Sequence, residues 1–341
     1  MHKSSSNGNT VLMSDIAQRV GVSLCTVSRV INNHPAVSKK TRRKVEKAIE
    51  EMHYIPNENA RTLLRRKSKT IGFIVPDISN PYYAELFQGT QDIMSKAGYS
   101  IFLANTGYEE NNENASLREM LGRGVDGLIL MSFYHVTDET TRLLRNNSNI
   151  VAIQTNIPDL NLVETSDDVG EATAIEHLIA LGHRKIAFVC LDVKSLRKRY
   201  KGYFSTLEKH GIPLRNDYVV EGFTPNTLGY EATKSLLALP DPPTAIAYIN
   251  DYTACGAYIA VRENGLRIPQ DISLVGFDDL QIAQLLDPPL TTIHQPIREM
   301  GRSAAQMLLN NMEDNGGSRK TILLPTELIV RGSTASPRKT V

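Results

Sequence analysis

Seven short apolar runs, separated by stretches with helical spacing, dominate the chain after residue 70. They span residues 71–75, 100–105, 127–131, 150–154, 185–190, 244–249 and 272–277. Alternation of strand and helix predicts parallel sheets covered by helices on both faces. Because one sheet would need too many strands for a single core, we expect two α/β lobes with a cleft between them. Ligands of such folds bind beyond the carboxyl ends of the strands.

The chain before residue 57 has a different pattern, in which apolar residues recur at helical spacing in three short segments. The first segment is capped by Ser14 or Asp15 and stops at Gly21. Ser23 caps the second segment, and the third begins at Ser38. Three short helices, the first two joined by a turn that contains glycine, predict a helix-turn-helix unit.

Charge is divided unevenly along the chain. Residues 1–70 carry 14 Lys and Arg against 5 Asp and Glu, a net charge of +9, whereas residues 71–341 carry 24 against 32, a net charge of −8. Positive charge concentrated on a small helical module is typical of proteins that neutralise the phosphates of DNA. A solvated basic helix is the alternative explanation of the charge alone.

The second helix of such a unit enters the major groove with its N-terminus first. This placement predicts that Leu24, Cys25 and Arg29 reach base edges, and the guanidinium of Arg29 suits O6 and N7 of guanine. Contacts to phosphates are predicted for four polar residues, Thr26, Ser28, Asn32 and Ser38.

Several other classes of protein are disfavoured. The cysteines Cys25, Cys190 and Cys255 are far apart and lack C-x-x-C spacing, so neither a disulfide framework nor a zinc or other metal site is expected. The polar N-terminus lacks an apolar signal segment and no 18-residue apolar run occurs, so we expect a cytoplasmic protein without membrane contact. The polar ends, 1–10 and 333–341, are predicted to be disordered.

One glycine motif has the spacing of a dinucleotide-binding site. Residues 122–127 satisfy G-x-G-x-x-G, but they precede the run GLILM and do not open a helix, so we interpret them as a helix-to-strand turn. A Rossmann-type dehydrogenase is therefore disfavoured, and no other catalytic motif occurs. We expect neither enzymatic activity nor a cofactor.

The run GVSLCTVSRVINNHPAVSKKTRRKV, followed by Tyr54, Pro56, Asn57 and the tetrapeptide 60–63 (ARTL), resembles the headpiece and hinge of the LacI/GalR family of transcriptional regulators. The resemblance continues through IVPDISNPYYAELFQG, VDGLILMS, LGHRKIAFV, R-x-x-G-Y, NDYTACGA, IPQDISLVGFDD and PPLTTIHQP, and covers about residues 12–332. In its overall sequence pattern the chain is similar to the ribose-repressor and catabolite-control groups of that family.

The resemblance implies a helix-turn-helix headpiece at 12–56, a hinge helix and linker at 57–70, and a periplasmic-binding-protein-like effector and dimerisation domain at 71–332. Its first lobe would contain 71–164 and 293–320, and its second lobe 165–290 and 321–332. The hinge helix would fold on operator DNA, with Leu63 as an apolar wedge in the minor groove. Further DNA contacts implied by the family are Tyr54, Asn57, Ala60 and Arg61.

Two departures from the family pattern affect these expectations. Leu24 and Cys25 replace the small polar residues common in relatives, which puts the usual base preference in doubt. Asn59 replaces an apolar residue, which would weaken the pairing of two hinge helices.

In the effector cleft, the family pattern implies aromatic side chains that cover a sugar ring and polar side chains that bind its hydroxyls. The implied residues are Tyr82, Tyr83, Arg199, Phe223, Asn250 and Asp278. A structural alternative is that Asn250 and Asp278 merely cap helices.

The predicted function is a homodimeric transcriptional regulator, most consistent with a repressor, that binds a pseudo-palindromic operator under allosteric control by a small molecule. An inducer and a corepressor would use the same cleft. One alternative is a transport-type binding protein, which the basic head disfavours. Another alternative keeps the DNA-binding function but makes the regulator a phosphorylated carrier protein that docks on the larger domain.

Overall fold

A computed structural model describes residues 11–54, 67–131, 136–145, 147, 149–155, 157, 159–191, 197–222, 225–314 and 319–338. The chain folds as two units, which we call the head (residues 1–68) and the body (residues 69–341).

The described part of the head contains three helices, α1 (Met13–Val20), α2 (Leu24–Ile31) and α3 (Lys39–Glu51). Gly21 ends α1 with a φ of 72°, a left-handed conformation that glycine adopts without steric cost. The hydroxyls of Ser23 and Ser38 accept hydrogen bonds from the backbone N–H groups three residues later, at 3.2 and 3.1 Å. The predicted caps of α2 and α3 are therefore confirmed.

The predicted N-cap of α1, Ser14 or Asp15, was wrong by two or three residues, because Leu12 occupies that position. α1 begins at Met13, and the carboxylate of Asp15 accepts a hydrogen bond from the backbone N–H of Leu12 at 2.8 Å. Asp15, in the first turn of α1, therefore provides a hydrogen-bond acceptor for a backbone N–H group at the start of the helix.

The core of the head takes one apolar face from each helix. Ile16, Val27 and Val45, one from each helix, are fully buried. Since each helix has a single apolar face, burial of these faces leaves the remaining faces to solvent.

Six strands form the first sheet of the body as described. Their spatial order is β11 (Thr321–Leu324), β5 (Asn161–Thr165), β4 (Ile150–Ile153), β3 (Gly127–Met131), β1 (Thr70–Val75) and β2 (Ser100–Asn105). All neighbours are parallel. One face packs against α4 (Pro81–Met94) and α12 (Ile297–Asp314), and the other against α5 (Glu110–Gly122) and α6 (Asp138–Arg145).

Six more strands form the second sheet, in the order β12 (Glu327–Ile329), β10 (Thr291–His294), β9 (Ser273–Asp278), β8 (Ala245–Tyr248), β6 (Ile186–Leu191) and β7 (Val219–Gly222). Among the strands that the structure describes here, only the edge strand β12 is antiparallel to its neighbour. The helices of this lobe are α7 (Asp167–Ala180), α8 (Arg197–Lys209), α9 (Pro225–Leu237), α10 (Asp251–Glu263) and the short α11 (Gln281–Leu285). Within the described ranges, no helix combines the length and apolar character needed to cross a bilayer.

In the described part of the body, the chain crosses between the two sheets three times, from β5 to α7, from β10 to α12 and from β11 to β12. This corrects the expected lobe boundaries. β10 belongs to the second sheet, where it pairs with β9, and β11 belongs to the first sheet, where it pairs with β5. Both strands have four residues, and a short apolar run carries no information about which sheet it joins.

The polar C-terminal segment was predicted to be disordered, which is wrong for residues 333–338. Ser333 is fully buried: its carbonyl oxygen accepts from the N–H of Leu274 at 2.9 Å, and its hydroxyl donates to the carbonyl oxygen of Leu274 at 2.6 Å. Ala335 continues these contacts by accepting from Nε2 of His183 at 2.8 Å. The segment therefore packs on the second sheet, whereas residues 1–10 and 339–341 lie outside the described residues.

Candidate functional site

The outer face of α2 carries the three side chains that the sequence predicts at base edges. Leu24 is 54% exposed, and Cys25 and Arg29 are also exposed. Val27 and Val30 are buried in the core of the head. Because the apolar face of α2 packs against the core of the head, the opposite face of this helix exposes Leu24, Cys25 and Arg29 to solvent.

The four residues predicted at phosphates lie along the same helix and at the start of the next. Thr26, Ser28 and Asn32 are half-buried and Ser38 is exposed. The amide of Asn32 donates to the carbonyl oxygen of Ser28 at 2.9 Å. The hydroxyls of Thr26 and Ser38 take part in the caps of α2 and α3, where each hydroxyl oxygen still has capacity for a further hydrogen bond.

Arg42 is a structural residue of this surface that the sequence analysis missed. Its guanidinium donates to the carbonyl oxygens of His34 at 2.8 Å and Val30 at 3.3 Å, and to Oδ1 of Asn33 at 2.9 Å. These bonds hold the loop after α2 against α3. In the sequence Arg42 is one of several basic residues in a row, so no pattern distinguishes it.

Tyr54 does not share the exposure of the other predicted DNA contacts. It is 8% exposed and packs in the core of the head. The implied hinge contacts Asn57, Ala60, Arg61 and Leu63, together with Asn59 and the hinge helix itself, lie outside the described residues.

In the body, the two predicted tyrosines lie in the first turn of α4, in the first lobe. Asn80 caps this helix by accepting a hydrogen bond from the N–H of Tyr82 at 3.0 Å. The rings of Tyr82 and Tyr83 are buried and meet edge to face, with centroids 5.3 Å apart. The predicted Phe223 lies outside the described residues.

Arg199, on α8 of the second lobe, is the buried cation of the candidate effector site. Its Nε donates to Oδ2 of Asp167 at 2.9 Å, its Nη2 lies 3.6 Å from Oδ1 of Asp278, and its Nη1 donates to the carbonyl oxygen of Ile249. The guanidinium stacks 3.7 Å above the ring of Phe277. Burial would lower the pKa of Arg199, but the carboxylates of Asp167 and Asp278, with Tyr82, raise it above its usual value. The site thus brings together residues from both lobes.

A ring of polar side chains, linked by hydrogen-bond contacts and closed by the 3.6 Å ion pair of Arg199 and Asp278, connects Arg199 to two of the three crossings between the lobes. The Thr165 hydroxyl, at the end of β5, lies 2.5 Å from Oδ1 of Asp167 and 2.6 Å from Oε1 of Gln295, so its one hydrogen serves one acceptor at a time. Nε2 of Gln295, which follows β10, donates to Oδ1 of Asp278 at 2.6 Å. None of the five residues of this ring is more than 5% exposed. Sequence analysis missed Thr165, Asp167 and Gln295, because only the fold brings these segments together.

Asp278 ends β9 with a φ of 112°, a strained conformation for a residue other than glycine. Burial raises the pKa of its carboxyl to about 7, against the lowering effect of Arg199 and Gln295. Asn250 does cap α10, because its Oδ1 accepts a hydrogen bond from the N–H of Thr253 at 2.8 Å. The capping alternative therefore applies to the oxygen of Asn250, and its Nδ2 is left as the group that could donate to a ligand.

Glu171, one turn after Asp167 on α7, is a further residue that the sequence analysis missed. Its side chain is fully buried, and Oε1 has no hydrogen-bond partner within the described residues. Burial raises the pKa of Glu171 to about 8, opposed by Arg199 and reinforced by Asp167. A buried carboxyl without a partner is held most favourably in its protonated form.

Comparison with known proteins agrees with both halves of this architecture. Residues 12–57 match the model of bacterial regulatory proteins of the lacI family, and residues 175–334 match a periplasmic binding protein-like domain. The chain is 36% identical to catabolite control protein A of Priestia megaterium over 330 residues, which cover 95% of this chain and 99% of that protein.

Solved structures show the same relationship. The lac repressor dimer bound to operator and the anti-inducer ONPF superimposes with a TM-score of 0.85 at 30% identity, covering 96% of this chain and all of that chain. A LacI family regulator from Enterococcus faecium with bound ribose gives a TM-score of 0.71 at 32% identity, covering 79% of this chain and all of that chain. The chain therefore belongs to the lacI family of bacterial regulatory proteins and is a DNA-binding transcriptional regulator with a two-lobe effector domain.

Proposed function

We propose that the protein is a homodimeric repressor whose operator binding is controlled by a sugar or sugar derivative held between the two lobes. The observation that carries this proposal is the buried pair of Arg199 and Asp278, close enough to Tyr82 of the other lobe for that tyrosine to affect the pKa of Arg199. A guanidinium and a carboxylate bind adjacent hydroxyls, while aromatic faces cover the C–H surface of a sugar. The ribose-bound relative supports this class of ligand.

The proposed effector contacts are the predicted set, Tyr82, Tyr83, Arg199, Phe223, Asn250 and Asp278. The members other than Phe223 are buried, so an analogue that lacks a hydroxyl would leave one of their polar atoms unpaired. Selectivity among sugars should therefore be strong.

On the DNA side, Leu24, Cys25 and Arg29 are proposed to contact bases. Thr26, Ser28, Asn32 and Ser38 are proposed to contact phosphates. Since Tyr54 is buried, it is left out of this set. A dimer would place two such helices on half-sites about one helical turn (~10 bp) apart. Residues 57–64 are proposed to form the hinge helix, with Leu63 as the wedge.

Effector binding would act through the ring of polar side chains at Arg199. The ring includes Thr165 and Gln295, which lie at two crossings between the lobes, so a ligand at Arg199 changes the relative stability of lobe arrangements. Coupling of this kind is typically worth ~1–3 kcal/mol. The two lobes would transmit it to the paired hinges.

A second copy of the chain is proposed to cover the edge strand β2. This strand lies at one end of the first sheet and exposes Phe102 (44%) and Leu103 (40%). An exposed apolar sheet edge is a favourable surface for association with another chain. The lac repressor relative is a dimer, which supports the assignment.

We assign the protein no enzymatic activity and place it inside the cell, where its DNA target lies. The similarity to catabolite control protein A keeps a phosphorylated carrier protein as an alternative regulator of the same operator binding.

A test of the effector site compares Asp278→Ala with the control Asp168→Ala, whose carboxyl is exposed on α7. A panel of pentoses, hexoses and nucleosides is screened by thermal shift on the full-length chain. We expect at least one compound to raise the melting temperature of the wild type and of Asp168→Ala by mass action, and not that of Asp278→Ala. Both variants should retain operator binding in a gel-shift assay. An unaltered response of Asp278→Ala would overturn the proposed site.

A further inference from the structure

We propose that Leu24 recognises the C5-methyl group of a thymine in each operator half-site. This inference rests on the proposed placement of α2 in the major groove. It names one base identity that the operator must contain.

Leu24 is exposed on a rigid part of the head. It is the first residue of α2, directly after the capping residue Ser23, whose hydroxyl accepts from the N–H of Thr26 at 3.2 Å and lies 2.9 Å from the Thr26 hydroxyl. A large apolar side chain that is 54% exposed at a fixed helix start is poised for an apolar contact. With α2 in the major groove, Leu24 makes this contact with the base edges at the floor of that groove.

The chemistry of the major groove selects one occupant for that contact. Of the groups that base pairs present there, the thymine methyl is apolar, whereas the others are hydrogen-bond donors or acceptors. A leucine cannot pair with a donor or acceptor, and it would displace water from it at a cost. Leu24 therefore favours thymine over cytosine, which has a donor and no methyl.

Arg29 reads a different base pair from Leu24. The two residues are five positions apart, which corresponds to about 7.5 Å along the helix axis. This exceeds the spacing of about 3.4 Å between neighbouring base pairs. The half-site should thus contain a thymine and, at a separate position, the guanine suited to Arg29.

The test uses full-length protein and a duplex selected from random DNA by that protein. Each thymine of the half-site is replaced in turn by deoxyuridine, which removes only the methyl group. For the wild type we expect one position at which replacement weakens binding about four-fold per half-site, the effect of exposing roughly one methylene of apolar surface. Leu24→Ala should bind the thymine and uracil duplexes equally.

Leu12→Ala is the matched control, because Leu12 is an equally exposed leucine (58%) of the head that lies outside α2. It should retain the wild-type sensitivity to the methyl group. Full sensitivity in Leu24→Ala, or no sensitive thymine in the wild type, overturns the inference while DNA binding itself stands. Failure of the wild type to select any sequence would instead overturn the DNA-binding assignment and this inference together.

Discussion

Arg199 faces an excess of buried acid. Within the described residues it is the one buried arginine or lysine, whereas Glu113, Asp167, Glu171, Asp251 and Asp278 are buried carboxyls. Asp167 and Asp278 share Arg199, and Asp251 accepts from the hydroxyl of Thr292 at 2.5 Å and the N–H of Leu280 at 2.8 Å. Glu171 has an oxygen without any such partner. The body should therefore hold protons at neutral pH that the unfolded chain releases.

Glu171→Gln should change the pH dependence of stability. The folded-state pKa of Glu171, about 8, lies above its unfolded value. The folded chain therefore binds the extra proton between about pH 4.5 and pH 8, and the free energy of unfolding falls as pH rises through that window. Asp167 on the same helix, and Arg199 and Tyr203 on α8, are the charged or titratable groups that interact with it. Removing the carboxyl should flatten this fall by up to a few kcal/mol, measured by urea unfolding at pH 5.5, 7.0 and 8.5.

Glu176→Gln provides the control on the same helix. Glu176 is exposed and pairs with Lys209 and His210, which lower its pKa. Its substitution should leave the slope above pH 5.5 unchanged. Equal slopes for wild type and Glu171→Gln would contradict the assignment of a protonated Glu171.

At the scale of elements, the helices of the body pack in close pairs. Where α4 crosses α12, a Cβ atom on Gly89 would lie 2.1 Å from the carbonyl oxygen of Arg298, and one on Gly301 would lie 2.2 Å from that of Leu86. Only glycine, which has no Cβ atom, permits the two backbones to approach so closely. Asp92, paired with Arg298 and Arg302, ties the same two helices at the surface.

Gly89→Ala should therefore force α4 and α12 apart. We expect a loss of about 1–3 kcal/mol in the free energy of unfolding of the body, measured by urea denaturation, because backbone atoms cannot yield to the added methyl. Gly122→Ala is the control, since a Cβ there meets nothing within 4 Å at the end of α5. Equal stability of the two variants would show that the crossing is looser than the structure indicates.

Apolar runs in the sequence predicted most of the strands of the body. The seven apolar runs all became strands, with ends within one residue of those predicted. Five further strands were not identified: β5, β7, β10, β11 and β12. All five are short and contain exposed or half-buried residues, so they lack the continuous apolar run that marks a covered parallel strand. In β10 only His294 is half-buried, but the sequence of this strand, Thr-Thr-Ile-His, is polar enough to resemble a loop.

At the scale of the molecule, a basic head and an acidic body divide the work of binding DNA and sensing a ligand. Net charges of +9 for residues 1–70 and −8 for residues 71–341 favour approach of the head to phosphates and disfavour approach of the body. One head alone would make few contacts. Tight operator binding therefore depends on the proposed association of two copies.

Leu103→Asp should weaken that association. A carboxylate buried at the proposed interface along β2 would lack a partner, so we expect the dimer dissociation constant to rise at least ten-fold, about 1.4 kcal/mol. Sedimentation velocity over a concentration series measures this change. Operator affinity should fall in parallel.

Leu323→Asp is the control, because Leu323 is exposed (60%) on β11, at the opposite edge of the same sheet. It should sediment as the wild type does. A Leu103→Asp variant that remains fully dimeric would place the interface elsewhere.

The sequence by itself determined the local features of the protein: the helices of the head with the caps of α2 and α3, the apolar strands, and the basic and acidic halves. These depend on neighbouring residues, periodicity and net charge, all of which can be read along the chain. Only the tertiary structure decided which sheet β10 and β11 join, that Tyr54 is buried, and that Thr165, Asp167, Arg199, Asp278 and Gln295 form one ring. Such contacts join residues far apart in sequence, and their partners are fixed by how the lobes pack, which no local pattern encodes.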